Sequence, residues 1–337
     1  MRKLAVVFSL VFIFVRLPSA YALDLSKFEH LVVFGDSLSD NGNSLFLTQG
    51  TPNPLPPPPY GTTYDSSGKP GKIFPGRWTD GRNWVDYFPR VARSFGVHIP
   101  AVTAYLQDKQ NDNATNFAVG GATSGAGNAI SEDLPGFQTQ IGTYLNSVDR
   151  DASPNDLYVI WIGANDFSAG IDPSQTVANI KDGIAALSNK GAKTFVVINV
   201  PDISLTPQVK SIGGATVQEA KQYVVKTNVL LDVELLPFAF LNRITIELVN
   251  INAIFIPLVF NPGEFGFTNS TGSALAALAA NPSTNPNDYL FWDGFHPTTN
   301  AHHIAAEFIY ETVASRRAFP ETPRVPLARK SIDGVSP

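Results

Sequence analysis

Short apolar runs rich in β-branched residues, each bounded by turn residues, alternate along this chain with longer stretches of helical spacing. That alternation restricts the fold more than any other feature. The runs fall at 30–34, 157–162, 194–200 and 253–259, and each reads as a buried strand. The helical stretches are 83–95, 136–148, 176–190, 216–249 and 299–313, the fourth broken or kinked at Pro237. Strands separated by helices pair in parallel through crossovers, so the expected architecture is an α/β layer fold.

Composition agrees with a chain that builds its own core. Of 337 residues, 44% are hydrophobic and 16% charged, against a charged share of about 25% in an ordinary globular domain. There is no cysteine, which excludes disulfides, thiolate zinc sites and thiol catalysis and leaves the core alone to hold the fold.

The first residues read as a removable leader. Met1-Arg2-Lys3 precedes an apolar run over 4–15, too short to cross a bilayer, and Ala20-Tyr21-Ala22 supplies a small-x-small cleavage pattern, with Arg16 between the two. The expected organisation is a signal peptide over 1–22, a single domain over 23–315 and a mobile C-terminal tail over 316–337, where Pro320, Pro323, Pro326 and Pro337 occur with little apolar periodicity. The mature chain is expected to be exported, secreted or periplasmic, with no transmembrane segment. The leader carries three basic and no acidic residues, so its removal makes a chain of net charge −5 still more acidic, which disfavours nucleic-acid binding. Two irregular stretches, 52–75 with Pro56-Pro57-Pro58-Pro59 and 261–288, read largely as long surface loops, where substrate specificity would reside.

The strand at 30–34 runs into Gly35-Asp36-Ser37-Leu38-Ser39-Asp40-Asn41-Gly42-Asn43. A serine there sits at the carboxyl edge of the sheet, where open α/β folds bind ligands. Near the other end, Asp293-Gly294-Phe295-His296-Pro297 puts a carboxylate three residues before a histidine, close enough for both to share one side of a turn. A hydroxyl is a weak nucleophile until a base takes its proton, so Ser, His and Asp form a workable acyl-transfer set. Asn113 to Ala122 ends in the small residues Gly120-Gly121-Ala122, and Gly163-Ala164-Asn165-Asp166 follows the strand at 157–162. A glycine amide and an asparagine carboxamide are donors of the kind an oxyanion hole uses. Singly, each segment is more often a turn, a helix cap or an ordinary surface residue than a catalytic group.

Together, in this chain order, Ser37 in GDSLSDNGN, Gly121 in NFAVGGA, Asn165 in GAND and His296 in DGFHP resemble the four blocks of the GDSL-type lipases and esterases of the SGNH hydrolase superfamily. Gly76 to Arg82 (GRWTDGR) and Asn199-Val200-Pro201-Asp202 extend the likeness. The resemblance implies a three-layer α/β/α sandwich, flavodoxin-like, around a parallel sheet of about five strands. It implies Ser37 as nucleophile, His296 as general base and acid, and Asp293 fixing the imidazole tautomer. The oxyanion would be held by the amides of Ser37 and Gly121 and the side chain of Asn165. The implied activity is hydrolysis of carboxylic esters of small molecules or lipids. Carbohydrate O-acetyl esters, acyl transfer to an alcohol, and a surface binding role on the same fold are the alternatives. No cofactor or metal is expected, since His302-His303 lacks partners at ligand spacing. The four tryptophans read as core or pocket wall, Asp36, Asp40 and Asp166 as candidate supports, and nothing in the sequence specifies an oligomeric state.

Overall fold

A computed structural model describes residues 22–109, 115–147 and 152–314. All but the last residue of the leader, and the tail expected at 316–337, lie outside the described residues. In chain order the elements are β1 (Leu31–Gly35), α1 (Asn43–Thr48), β2 (Thr62–Tyr64), β3 (Pro70–Ile73), α2 (Trp84–Ser94) and α3 (Phe137–Ser147). Then come β4 (Leu157–Trp161), α4 (Ala164–Ser168), α5 (Pro173–Asn189), β5 (Thr194–Ile198), α6 (Pro207–Ile212) and α7 (Gly214–Asn242). The chain continues through β6 (Thr245–Val249), α8 (Asn252–Phe260), β7 (Asn269–Ser273), α9 (Ala274–Ala280), β8 (Tyr289–Phe291) and α10 (Thr299–Ala314).

Four strands pair in parallel in the order β1-β4-β5-β6, with Leu31 opposite Leu157, Leu157 opposite Thr194, and Thr194 opposite Thr245. On the free side of β1, residues 115–119 run alongside as a fifth position. The Val33 amide donates to the Thr115 carbonyl at 2.9 Å, Phe117 to Val33 at 2.8 Å and Val119 to Gly35 at 3.2 Å.

Side chains alternate across the sheet, so each strand feeds two cores. Leu31, Val33, Leu157, Val159, Trp161, Val196 and Ile198 pack with α2, α8 and α10 on one face. Val32, Phe34, Tyr158, Ile160, Phe195 and Val197 pack with α3, α5 and α7 on the other. The result is the expected three-layer α/β/α sandwich, buried on both sheet faces, which is why its strands read as continuous apolar runs.

Two element assignments exchange places. The expected helix over 216–249 ends at Asn242, where Arg243 adopts a left-handed conformation (φ 54°) and its amide caps the last turn, and 245–249 is the fourth strand. Pro237 does not break the helix. The expected strand at 253–259 is helix α8, burying Ile254, Phe255, Leu258 and Val259 while Ile256 and Phe260 stay exposed. A short apolar run fits both periods, and the helix wins because β6 already fills the sheet position. The two irregular stretches also carry more structure than expected: 52–75 contains the β2–β3 hairpin, and 261–288 contains β7 and α9, with β7 pairing in parallel with β8.

Candidate active site

β1 delivers the chain to the carboxyl edge of the sheet two residues before Ser37. Gly35 is required there, because a Cβ would fall 2.5 Å from the Trp161 carbonyl of the neighbouring strand. The chain then turns sharply: the Ser39 and Asp40 amides donate to the Asp36 carbonyl at 3.0 and 2.9 Å, and the Leu38 amide to Asp36 Oδ1 at 3.0 Å. This turn holds Ser37 almost buried, at 8% exposure. Burial pushes the Asp36 carboxyl up to about 7, opposed by the Leu38 amide and the charge of His296.

Asp40 ties three segments together. Its Oδ1 accepts the Gly42 and Asn43 amides, each at 2.8 Å, and its Oδ2 accepts those of Ser44 at 3.1 Å and Gly120 at 3.0 Å. One buried carboxylate therefore joins the serine turn, the start of α1 and the Gly120-Gly121 loop. Asn43 Nδ2 donates to the Asn116 and Ala118 carbonyls, and Asn116 Nδ2 to the Ser39 carbonyl and Asn41 Oδ1. The polar letters of the first block are thus a hydrogen-bonded brace under Ser37.

Gly121 has φ 76°, and a Cβ on it would lie 2.5 Å from Asn128 Oδ1 and 2.6 Å from Ile130 Cγ1, so only glycine fits. Among the described residues the Ser37 and Gly121 amides have no acceptor. Asn165, at the start of α4 after β4, donates from Nδ2 to the Ala122 carbonyl at 3.0 Å. That bond uses one of the two carboxamide hydrogens and leaves the other to donate. Asp166 fixes α4 to the same loop, accepting the Ser124 amide and the Thr176 hydroxyl, both at 2.7 Å. Ser37, Gly121 and Asn165 thus follow three adjacent parallel rails, 115–119, β1 and β4.

His296 and Asp293 come from the loop between β8 and α10. The Phe295 and His296 amides donate to Asp293 Oδ1 at 2.7 and 2.6 Å, His296 Nδ1 lies 2.6 Å from Asp293 Oδ2, and His296 Nε2 lies 2.8 Å from Ser37 Oγ. With Nδ1–H donating to the carboxylate, Nε2 is the acceptor for the serine O–H. Burial works to raise the Asp293 carboxyl, but the imidazolium charge, its hydrogen bond and the amides outweigh it and hold the group at about 2. For His296, burial works downward, and the neighbouring Asp293 more than offsets it, so the imidazole is raised above its ordinary value.

One partner of this set was not legible in the sequence. Tyr60, directly after the proline run, donates its hydroxyl to Asp293 Oδ2 at 2.6 Å. Its ring stands edge-on to Trp78 and Trp292, at centroid distances of 6.1 and 5.9 Å, and Trp78 lies over the His296 ring at 5.5 Å. The only signal in the sequence is an aromatic residue closing a run of prolines.

The profile of the GDSL-like lipase/acylhydrolase family matches residues 31–309. The chain belongs to that family. Among curated proteins the chain is similar to Lipase 1 of Photorhabdus luminescens, 26% identical over 88% of this chain and 52% of that protein. It is similar to the thermolabile hemolysin of Vibrio parahaemolyticus, 25% identical over 86% of this chain and 65% of that one. A third relative is the phosphatidylcholine-sterol acyltransferase of Aeromonas hydrophila, 26% identical over 83% and 88%. The chain therefore spans about half of the first relative's length and just under two thirds of the second's. Among solved structures, a lipolytic G-D-S-L family protein from Veillonella parvula aligns at 14% identity and a TM-score of 0.43 over 84% of this chain and 96% of that one.

Among the described residues, His302 and His303 make no hydrogen bond to Ser37, Asp293 or His296. His302 is 2% exposed within α10, and burial pushes its imidazole down to about 3. His303 stacks on Tyr87 at 4.7 Å. Among the described residues one cluster brings metal-ligating atoms together, Glu29, His30 and Asp156, at the opposite edge of the sheet. There His30 Nδ1 lies 3.0 Å from Asp156 Oδ1.

Proposed function

We propose that this protein is a serine esterase that hydrolyses carboxylic esters of lipids or other acyl compounds through an acyl-enzyme on Ser37. The observation that carries the reading is the unbroken chain from Ser37 Oγ to His296 Nε2 at 2.8 Å and from His296 Nδ1 to Asp293 Oδ2 at 2.6 Å. His296 takes the Ser37 proton as Oγ bonds to the ester carbonyl carbon. The negative charge on the carbonyl oxygen falls to the amides of Ser37 and Gly121 and the remaining N–H of Asn165. The C–O bond to the alcohol then breaks as His296 returns the proton to the leaving oxygen. Water repeats the sequence on the acyl-enzyme, with His296 as base, and releases the acid.

Two large apolar side chains beside members of the set are exposed. Ile130, packed against Gly121, is 46% exposed, and Phe295, beside His296, is 52% exposed. Exposed apolar groups there favour an acyl chain longer than acetyl. Likeness to an acyltransferase supports transfer to an alcohol as the second outcome, since the acyl-enzyme is shared and only the acceptor differs. The leader pattern supports export. No helix among the described residues is long and apolar enough to cross a membrane.

The test is turnover of p-nitrophenyl esters of graded chain length, with and without an added alcohol, beside Ser37→Ala. Activity that vanishes in the variant while its fold persists supports the reading, and a preference for long chains distinguishes lipid from acetyl esters. Absence of turnover and of Ser37 labelling by a serine-directed phosphonate would place a binding role on the fold instead.

A further inference from the structure

The proline-rich stretch is docked onto the site and is not a free rim. The Gly61 amide donates to the Thr79 carbonyl at 2.6 Å, the Phe74 amide to Gly61 at 2.7 Å, and the Tyr60 amide to the Pro57 carbonyl at 3.1 Å. Thr79 in turn donates its hydroxyl to the Pro297 carbonyl at 2.8 Å, so one short segment grips both the Tyr60 loop and the His296 loop. At Gly61 (φ 78°) a Cβ would lie 2.1 Å from the Phe74 carbonyl, which holds the loop at this closeness only with glycine.

Asp293 has two oxygens and room for about four donors. Oδ1 takes the two loop amides, and Oδ2 takes His296 Nδ1 and Tyr60 Oη, both at 2.6 Å. Among the described residues, the oxygen that orients the imidazole is therefore itself fixed by one other group, and that group sits 233 residues away in sequence. Two edge-on indoles, Trp78 and Trp292, hold the phenol ring in place.

We propose that Tyr60 is a positioning residue of the hydrolytic site: delivered by the docked proline-rich loop, its hydroxyl fixes the Asp293 oxygen that orients His296. The inference rests on the reading of Ser37, His296 and Asp293 given above. Tyr60 also shares the Oδ2 negative charge with the imidazole, so it moderates how strongly Asp293 holds the protonated ring. The titratable groups facing His296 are Asp293, Asp36 and His302, with Tyr60 behind Asp293.

Tyr60→Phe removes one hydroxyl and keeps the ring between the indoles. Expected is a fall in kcat of about tenfold, the effect of losing one charge-assisted hydrogen bond, with KM nearly unchanged. The acid limb of kcat/KM should move to higher pH, because Asp293 then holds the imidazolium more tightly. On an Asp293→Asn background the same substitution should add no further loss, since its action runs through that carboxylate. Wild-type kcat and pH profile in Tyr60→Phe would overturn the inference, as would a loss confined to KM or one that persists in full on Asp293→Asn. Ser37→Ala measured alongside separates the two failures: if Ser37→Ala retains turnover, the underlying hydrolase reading fails and not the role of Tyr60 alone.

Discussion

At the scale of single residues, the site is built from groups whose main hydrogen bonds orient them while leaving one direction open. Asn165 spends one carboxamide hydrogen on Ala122 and keeps the second. Asn165→Ala should therefore lower kcat by about 10²–10³-fold, as the loss of one oxyanion donor does, with an unchanged circular-dichroism spectrum; near-normal turnover would remove Asn165 from the site. Proton transfer sets a second expectation. His296 acts as base only when neutral, and its pKa lies above the ordinary histidine value, while Asp293 at about 2 stays ionised throughout. In a profile of kcat/KM from pH 4 to 9, activity should fall as pH drops through a single limb above 6.5; a limb centred well below that value would contradict the pairing. Ser37, Gly121, Asn165, Asp293 and His296 could be put forward from the sequence because each sits in a short run that, taken with the others in this chain order, resembles the blocks of a known family. Tyr60 could not, because its contact with Asp293 joins two loops far apart in sequence.

At the scale of elements, β1 and β4 approach so closely at Gly35 that Gly35→Ala sets a Cβ against the Trp161 carbonyl. The strands must part or the serine turn must shift, and destabilisation of about 1–3 kcal/mol is expected from overpacking of this kind, with activity falling alongside; a variant of wild-type stability in urea titration would show that the sheet edge yields freely. Helix α7 offers the opposite case. Pro237 lies exposed inside a 29-residue helix, and an interior proline costs up to about 3 kcal/mol against alanine. Pro237→Ala should raise the melting temperature, and a lowered one would mean that the proline stabilises the helix where it stands. The same helix shows where periodicity misleads: 216–249 looks helical throughout, yet the left-handed Arg243 stops it and frees 245–249 for the sheet. Local spacing could not decide this, since Ile246 and Val249 find their burial only beside β5 and its covering helices.

For the whole molecule, burial of polar groups couples stability to pH. Asp80 is 1% exposed, and burial raises its carboxyl to about 6, opposed by the Thr299 amide that it accepts at 2.6 Å at the start of α10. A carboxyl raised in the folded state binds a proton that the unfolded chain has released between its model value of 3.8 and about 6. Its contribution is therefore lost as pH rises through that window. Asp80→Asn should gain on the wild type by up to about 3 kcal/mol as pH goes from 4 to 7, read from urea titrations at both ends; a constant difference would show that Asp80 is ionised in the fold. The sequence by itself determined the α/β class and three of the four sheet strands, because periodicity and turn chemistry are local, and its motifs put forward Ser37, Asp293 and His296, which the fold brings within hydrogen-bond distance. Only the tertiary structure decided the fourth strand, the placing of 115–119 beside β1, and the docking of Tyr60 on Asp293. Those depend on which surface is left unfilled once the other elements have packed, and no window of the sequence contains that information.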